Sequence, residues 1–178
     1  AHCETIDGRL AILDPATTDN LDAIIAQRAG LASADGHAAL YFPWVQAAPA
    51  GESLLLPPSG FVAGVYARTP PPDAPLGEVM TATGVSFTVT SAQQAILSPL
   101  GIDVLRFLIG SGVQVWGART IAIDLQWQYL SVRRASDAIE TSIQAGTAWC
   151  LQEPNDETLW SQLRSDVTDF LQTLFLAG

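Results

Sequence analysis

Lysine is absent from this sequence of 178 residues, and its eight basic residues are all arginine. Eighteen acidic residues outnumber them, so the net charge is −10 at pH 7. Such a charge argues against the basic surface that direct nucleic-acid binding requires. A phosphate-binding loop of the Gly-Lys-Ser/Thr type is excluded as well, because its lysine is missing.

Cysteine and histidine are also scarce. Cys3 and Cys150 are too few for a disulfide framework, and we expect both to be free thiols. His2 and His37 have neither zinc-ligand spacing nor a pattern that indicates a nucleophilic triad. Apolar runs long enough to span a membrane are missing too. We therefore expect no metal, no other cofactor and no membrane insertion.

The first part of the chain shows the pattern of a βαβ unit. Residues 10–13 form an apolar run that predicts a short buried strand. Thr18 or Asp19 is suited to cap a helix that runs to about Gly30. Residues 38–45 are again apolar and aromatic, and they predict a second strand parallel to the first.

A second helix is predicted to begin at Ser59, which follows two prolines and is suited to act as its cap. The small residues Gly60, Ala63 and Gly64 on this helix would let another backbone approach closely. Residues 69–77 then contain four prolines, so a stiff surface loop is expected to follow the helix.

The remainder of the chain predicts more strands and then helices. The predicted elements are strands over 85–89, 104–109 and 113–116, a short helix from Ser91, and longer helices from Ser131 and near Asn155. The glycines at 110 and 112 allow a tight turn, which makes the last two strands antiparallel. The predicted fold class is therefore α/β, with a mixed β-sheet flanked by helices and two helices at the end.

Six charged residues are candidates for ion pairs within the fold or for contacts with another subunit. They are Arg68, Arg119, Arg133, Arg134, Asp156 and Glu157. Arg119 follows an apolar strand, so its stem is expected to be half buried while its guanidinium needs a partner. That partner is either a structural one at the end of the strand or a captured phosphate or carboxylate.

Four of these six residues lie at expected helix starts, as two pairs of neighbours in the sequence. Arg133 and Arg134 oppose the helix dipole there, and we expect both to be exposed and compensated by Asp137 or by acidic groups of another chain. Asp156 and Glu157 are favoured by the dipole, because they follow the cap expected at residue 155. Their carboxylates would also be free to reach an arginine of a neighbouring subunit.

Four short segments stand in a fixed order along the chain. They are Leu56-Pro57-Pro58-Ser59-Gly60 leading into Val62-Ala63-Gly64-Val65-Tyr66-Ala67-Arg68-Thr69, then Val115-Trp116-Gly117-Ala118-Arg119-Thr120, Val132-Arg133-Arg134 and Glu153-Pro154-Asn155-Asp156-Glu157. Together they resemble the tail sheath proteins of contractile phages and of related contractile injection systems. The resemblance extends upstream to residues 9–14 and 39–44, so it covers most of the chain.

This resemblance implies a structural subunit and not an enzyme. Sheath subunits polymerise around an inner tube and switch from an extended to a contracted lattice, without a cofactor. The implied partners are other sheath subunits, the inner tail tube protein and the baseplate. The implied location is the bacterial cytoplasm during assembly, and then the tail of a phage or a contractile injection particle.

Residues 1–178 are expected to form a single sheath core domain. Relative to the sheath proteins they resemble, we expect this piece to lack the upstream domains and the C-terminal arm that donates a strand to a neighbour. Two other functions stay open: a static tail or baseplate adaptor of similar fold, and a small α/β enzyme with Asp14 and Arg119 in a cleft.

Overall fold

The computed structural model describes residues 2–6, 8–48 and 51–177. The chain divides into two compact units, residues 1–137 and 138–178, and each is described by itself. The prediction of a single core domain over the whole chain stays a prediction.

The first unit is built on a five-stranded mixed β-sheet. Its strands are β1 (Ala11–Leu13), β2 (Ala38–Phe42), β5 (Val79–Met80), β7 (Ile102–Leu108) and β8 (Gly112–Val115), in the order β1-β2-β7-β8-β5. The first three strands of that order are parallel, and the pairs β7–β8 and β8–β5 are antiparallel. The predicted βαβ unit, the hairpin and the mixed sheet are therefore confirmed.

A smaller antiparallel sheet has the order β4-β3-β6, with β3 (Val45–Ala47), β4 (Leu54–Leu56) and β6 (Gly84–Val85). The sequence predicted one strand over 38–45, and this is wrong. The five-stranded sheet uses residues up to Phe42, and Pro43 then interrupts the chain because it has no N–H to donate. Val45 begins a strand of the other sheet, opposite Leu56 and Val85.

The helices are α1 (His2–Thr5), α2 (Leu21–Ala29), α3 (Ser59–Arg68), α4 (Ser91–Leu97), α5 (Leu130–Gly146) and α6 (Glu157–Ala177). Short 3-10 turns occupy Ser98–Leu100, Leu125–Trp127 and Ala148–Gln152. Asn20 caps α2 through its side-chain oxygen, so the prediction of Thr18 or Asp19 as the cap is wrong. Thr90 and Gln93 form a capping box at the start of α4.

Strand β2 lies at the centre of the core, and all five of its residues are buried. Ala39 and Tyr41 pack with residues of α3 in one apolar cluster. Leu40 and Phe42 point the other way and pack with residues of α2 and α4 in a second cluster. Because successive side chains of a strand alternate between its faces, helices cover both faces of the sheet.

The second unit consists of the end of α5, the 3-10 turn over Ala148–Gln152, and α6. Along α6 the stripe of Leu159, Leu163, Val167 and Phe170 is partly buried, whereas Leu174 is 40% exposed. The two predicted terminal helices are present. No helix among the described residues is both long enough and apolar enough to cross a membrane.

Candidate functional site

The start of α3 is held by Asp14, which follows β1. Its Oδ1 accepts the backbone N–H of Ser59 at 2.8 Å, and its Oδ2 accepts the Ser59 hydroxyl at 2.7 Å. Ser59 is thus the first helical residue, and Asp14 satisfies its backbone from a distant part of the sequence. The prediction of Ser59 as the cap is wrong in this respect.

The small residues of α3 lie on an exposed face. Gly60, Ala63 and Gly64 are exposed, whereas Val62 and Val65 point into the core. A Cβ atom added at Gly60 or Gly64 would meet no group of the described chain within 4 Å. The close packing predicted for this helix is therefore not made inside the chain, and its use by a neighbouring subunit stays a prediction. We call Gly60, Ala63 and Gly64 the small-residue face.

Arg134 holds the proline-rich loop that follows α3. Its guanidinium donates to the carbonyl oxygens of Thr69 and Asp73 and lies over the ring of Tyr66, with Cζ 5.0 Å from the ring centroid. Arg68, at the end of α3, donates to the Val79 carbonyl and forms an exposed ion pair with Glu78 at 3.5 Å. Arg134 therefore ties this loop to α5, and Arg68 ties β5 to α3.

Arg133 differs from its neighbour, because it is only 3% exposed. Its Nη2 lies 2.7 Å from Oδ1 of Asp137, and its Cζ lies 4.2 Å from the ring centroid of Trp127. The expectation that Arg133 is exposed is wrong. Val132 is 44% exposed, because a helix that buries Leu130 and Arg133 turns residue 132 outwards.

Arg119 is half buried, as expected, and it has partners on its own chain. Its guanidinium donates to Oε1 of Gln128 at 3.1 Å and lies over the ring of Tyr129, with Cζ 5.1 Å from the centroid. Its backbone N–H donates to Oδ1 of Asp103 at 2.9 Å. Arg119 and Asp14 each have a structural partner, and these contacts do not favour a catalytic role for the two residues.

Asp156 and Glu157 lie in the second unit at the start of α6, and both are exposed. Oδ1 of Asp156 accepts the N–H of Leu159 at 2.9 Å, so Asp156 is the cap. Asn155 instead accepts the indole N–H of Trp160 at 2.8 Å, and the prediction that it caps the helix is wrong. Asp156 is thus engaged in the helix, and Glu157 occupies the first turn, where the dipole stabilises its charge.

Sequence reasoning missed Asp103, although it interrupts an otherwise apolar strand pattern in β7. It is 1% exposed, and burial raises the pKa of its carboxyl to about 8, while the hydrogen bond and the charge of Arg119 act in the opposite direction. Gly117 lies directly against it: a Cβ atom at residue 117 would lie 2.6 Å from Oδ1 of Asp103. This contact explains why the Val115–Thr120 segment has glycine at that position.

The part of the chain that the structure describes contains no group of three histidine, cysteine or acidic side chains that could hold a metal ion. Among the candidate charged residues, Arg68, Arg134 and Asp156 hold loops and helix ends of their own chain.

No protein-family model and no curated protein matches this chain. Solved structures do match it. The chain is 33% identical to a chain of the anti-feeding prophage helical sheath in its contracted state, with a TM-score of 0.78, over 95% of this chain and 46% of that one. It is 27% identical to a chain of the contracted sheath complex of an extracellular contractile injection system called PVC, with a TM-score of 0.82, over 95% and 49%.

A chain in the baseplate structure of the anti-feeding prophage is similar as well, with 32% identity and a TM-score of 0.78 over 95% of this chain and 45% of that one. This chain thus spans slightly less than half the length of these solved relatives. The resemblance predicted from the sequence segments is confirmed: over nearly all of its length, this chain is structurally similar to the sheath proteins of contractile injection systems.

Proposed function

We propose that this chain is part of a structural sheath subunit that polymerises around an inner tube and contracts to drive injection. The observation that carries the proposal is its similarity to the contracted sheath of the anti-feeding prophage, at 33% identity over 95% of the chain. Contraction would rearrange subunits as nearly rigid bodies, which needs a packed core and exposed contact surfaces. The subunit would act without catalysis and without a cofactor.

The partners in this proposal are further copies of the subunit, the inner tail tube protein and the baseplate. The net charge of −10 supports assembly on protein surfaces and not on nucleic acid. We further propose assembly in the bacterial cytoplasm, followed by a mature location in a phage tail or an injection particle. Residues 1–178 would then be the core domain of a longer subunit.

Within this function, we assign the small-residue face of α3 to contact with a neighbouring subunit. Its glycines have open space above them, and such a surface lets a second backbone approach closely. Arg68 and Glu157 are exposed charged groups that would add ion pairs between copies, each worth about 0.2–1 kcal/mol. Repeated over many subunits, these small free energies would shift the balance between the extended and the contracted lattice.

The test is to produce the full-length subunit together with its tube protein and to image the particles by negative-stain electron microscopy. Long sheathed tubes support the proposal, and a shorter, wider form after a trigger supports contraction. Closed rings would indicate the static adaptor instead, an alternative that the similarity to a baseplate chain favours. If tubes of the tube protein form bare, with the subunit left unassembled, the sheath proposal is wrong.

A matched pair of variants tests the small-residue face. Gly64→Leu fills the open space on α3, and Ala26→Leu makes a comparable change at an exposed position of α2. We expect both variants to fold, and only Gly64→Leu to lose sheath formation. Normal sheaths from the Gly64 variant would show that the small-residue face makes no contact in the lattice. The proposed sheath function would not be affected by that result.

A further inference from the structure

Asp103 is a buried carboxyl group of the first unit, and one of its oxygens is not satisfied. Its Oδ1 accepts the backbone N–H of Arg119 at 2.9 Å. Its Oδ2 is buried, and no hydrogen-bond partner lies within reach among the described residues. An ionised carboxylate in this position would have lost its water without a full replacement, which is costly in free energy.

The groups that face Asp103 offset only part of this cost. Tyr41 lies opposite it on β2, and Tyr66 of α3 forms a hydroxyl–hydroxyl hydrogen bond of 2.8 Å with Tyr41. Burial and the proximity of Asp103 raise the pKa of both tyrosines, so they remain neutral. The cation of Arg134 acts on these tyrosines, and the guanidinium of Arg119 is directed to Gln128.

Asp103 lies beneath the segment formed by residues 116–129. Gly117 packs against its Cα and carboxylate so closely that a Cβ atom would lie 2.7 Å from Cα of Asp103. The N–H of Trp116 donates to the Val104 carbonyl at 2.7 Å. Gly117 thus covers Asp103 from the side of Oδ1, and movement of this part of the segment away from β7 would open the carboxyl group to water.

The same segment presents exposed apolar side chains. Ile123 is 70% exposed, Leu125 is 75% exposed and Tyr129 is 44% exposed. The hydroxyl of Thr120 donates to the Trp127 carbonyl at 2.6 Å, and the N–H of Thr120 donates to the Gln128 carbonyl at 3.0 Å. A change at Asp103 would therefore be transmitted from residues 116–120 to the exposed part of the segment.

We propose that Asp103 is a proton-dependent latch, which in its neutral form holds residues 116–129 against β7 and on ionisation releases them. This inference goes beyond the sheath function and does not depend on it. The closed carboxyl, whose pKa is raised from 3.8 to about 8, retains its proton where an opened one has lost it. The closed state therefore loses stability as the pH rises from about 4 to about 8 and changes little above that.

The test is hydrogen exchange of the backbone amides, expressed as protection factors so that the intrinsic pH dependence of exchange is removed. Between pH 5 and pH 7 we expect protection in residues 116–129 to fall at least tenfold in the wild-type chain. The fall should level off above about pH 8. In Asp103→Asn, which is neutral at every pH, protection should stay flat, and the exposed variant Asp166→Asn should behave like the wild type.

Three outcomes would overturn the latch. They are an equal fall in the amides of β2, which would indicate global unfolding, a flat wild-type profile, and a pH dependence that persists in Asp103→Asn. If that variant does not fold, carboxyl ¹³C NMR of the wild-type chain decides the question. Titration of Asp103 near pH 8 supports the latch, and titration below pH 5 contradicts it.

Discussion

The two units of this chain differ in where their apolar side chains lie. Every fully buried hydrophobic side chain among the described residues belongs to residues 1–137. In the second unit, the apolar residues of α6 are at most partly buried, and Phe175 and Leu176 are 83% and 75% exposed. The first unit thus contains a core of its own, whereas the second leaves several large apolar side chains exposed.

The charged residues follow the same division. In the first unit, Asp14, Arg133 and Arg134 are bonded to parts of the fold that are distant in sequence or buried. In the second, Asp156 and Glu157 are exposed at the start of one helix. Substitutions of Asp14, Arg133 or Arg134 should therefore act on folding, whereas removing the charge of Glu157 should have little effect on it.

Two phenylalanines test this comparison most strongly. Phe42 is fully buried in β2, so Phe42→Ala should lower the free energy of unfolding by about 3–5 kcal/mol. Phe175 is 83% exposed, and Phe175→Ala should change the free energy of unfolding by less than about 0.5 kcal/mol. Urea denaturation of both variants gives the two values. A large loss at Phe175 would place that side chain in a core and end the contrast.

Two arginines give the next largest difference. Arg133→Met removes the cation of a buried ion pair with Asp137, and we expect a loss of about 3 kcal/mol. Arg68 pairs with Glu78 at the surface, so Arg68→Met should cost less than about 1 kcal/mol. Thermal unfolding monitored by circular dichroism compares them. Equal losses would show that the burial of Arg133 does not determine its contribution.

Local sequence patterns were sufficient to predict most of the fold. The prediction failed where contacts between residues distant in the sequence determine the structure. The apolar run of β2 and the glycine turn between β7 and β8 are local signals, and both were predicted. The role of Asp14 at Ser59 was not, because the two residues lie 45 positions apart and meet only through the sheet. Arg133 was expected to be exposed, but it is buried through its contacts with Trp127 and Asp137.

The candidate site was predictable to a smaller extent. The segment residues were recognised by resemblance, but their contacts depend on tertiary structure. Asp103 was overlooked because a single carboxylate in a strand gives no periodic signal. Its burial follows from the position of β7 between β2 and β8.

Two glycines test how closely the sequence segments are packed. At Gly117 a Cβ atom would lie 2.6 Å from Oδ1 of Asp103, so Gly117→Ala should cost about 1–3 kcal/mol. At Gly64, within α3, the space is open, and Gly64→Ala should stabilise the helix by up to about 1 kcal/mol. Chemical denaturation should thus move the two midpoints in opposite directions. A neutral Gly117 variant would mean that residues 116–119 shift without cost.

The smallest expected effect concerns the start of α6. Asp156→Ala removes the oxygen that accepts the N–H of Leu159, and the stability of this helix should fall by about 1 kcal/mol. Glu157→Gln keeps the size of the side chain and removes only its charge, so it should cost at most a few tenths of that. Amide exchange of residues 157–162 measures both effects locally. If Glu157→Gln were the more harmful variant, the charge near the dipole and not the cap would hold this end of the second unit. The contact of Glu157 with an arginine of a neighbouring subunit would then have to be distinguished from its effect on folding. Comparing the assembly of the two variants at low and high salt makes this distinction, because an exposed ion pair weakens as salt screens it.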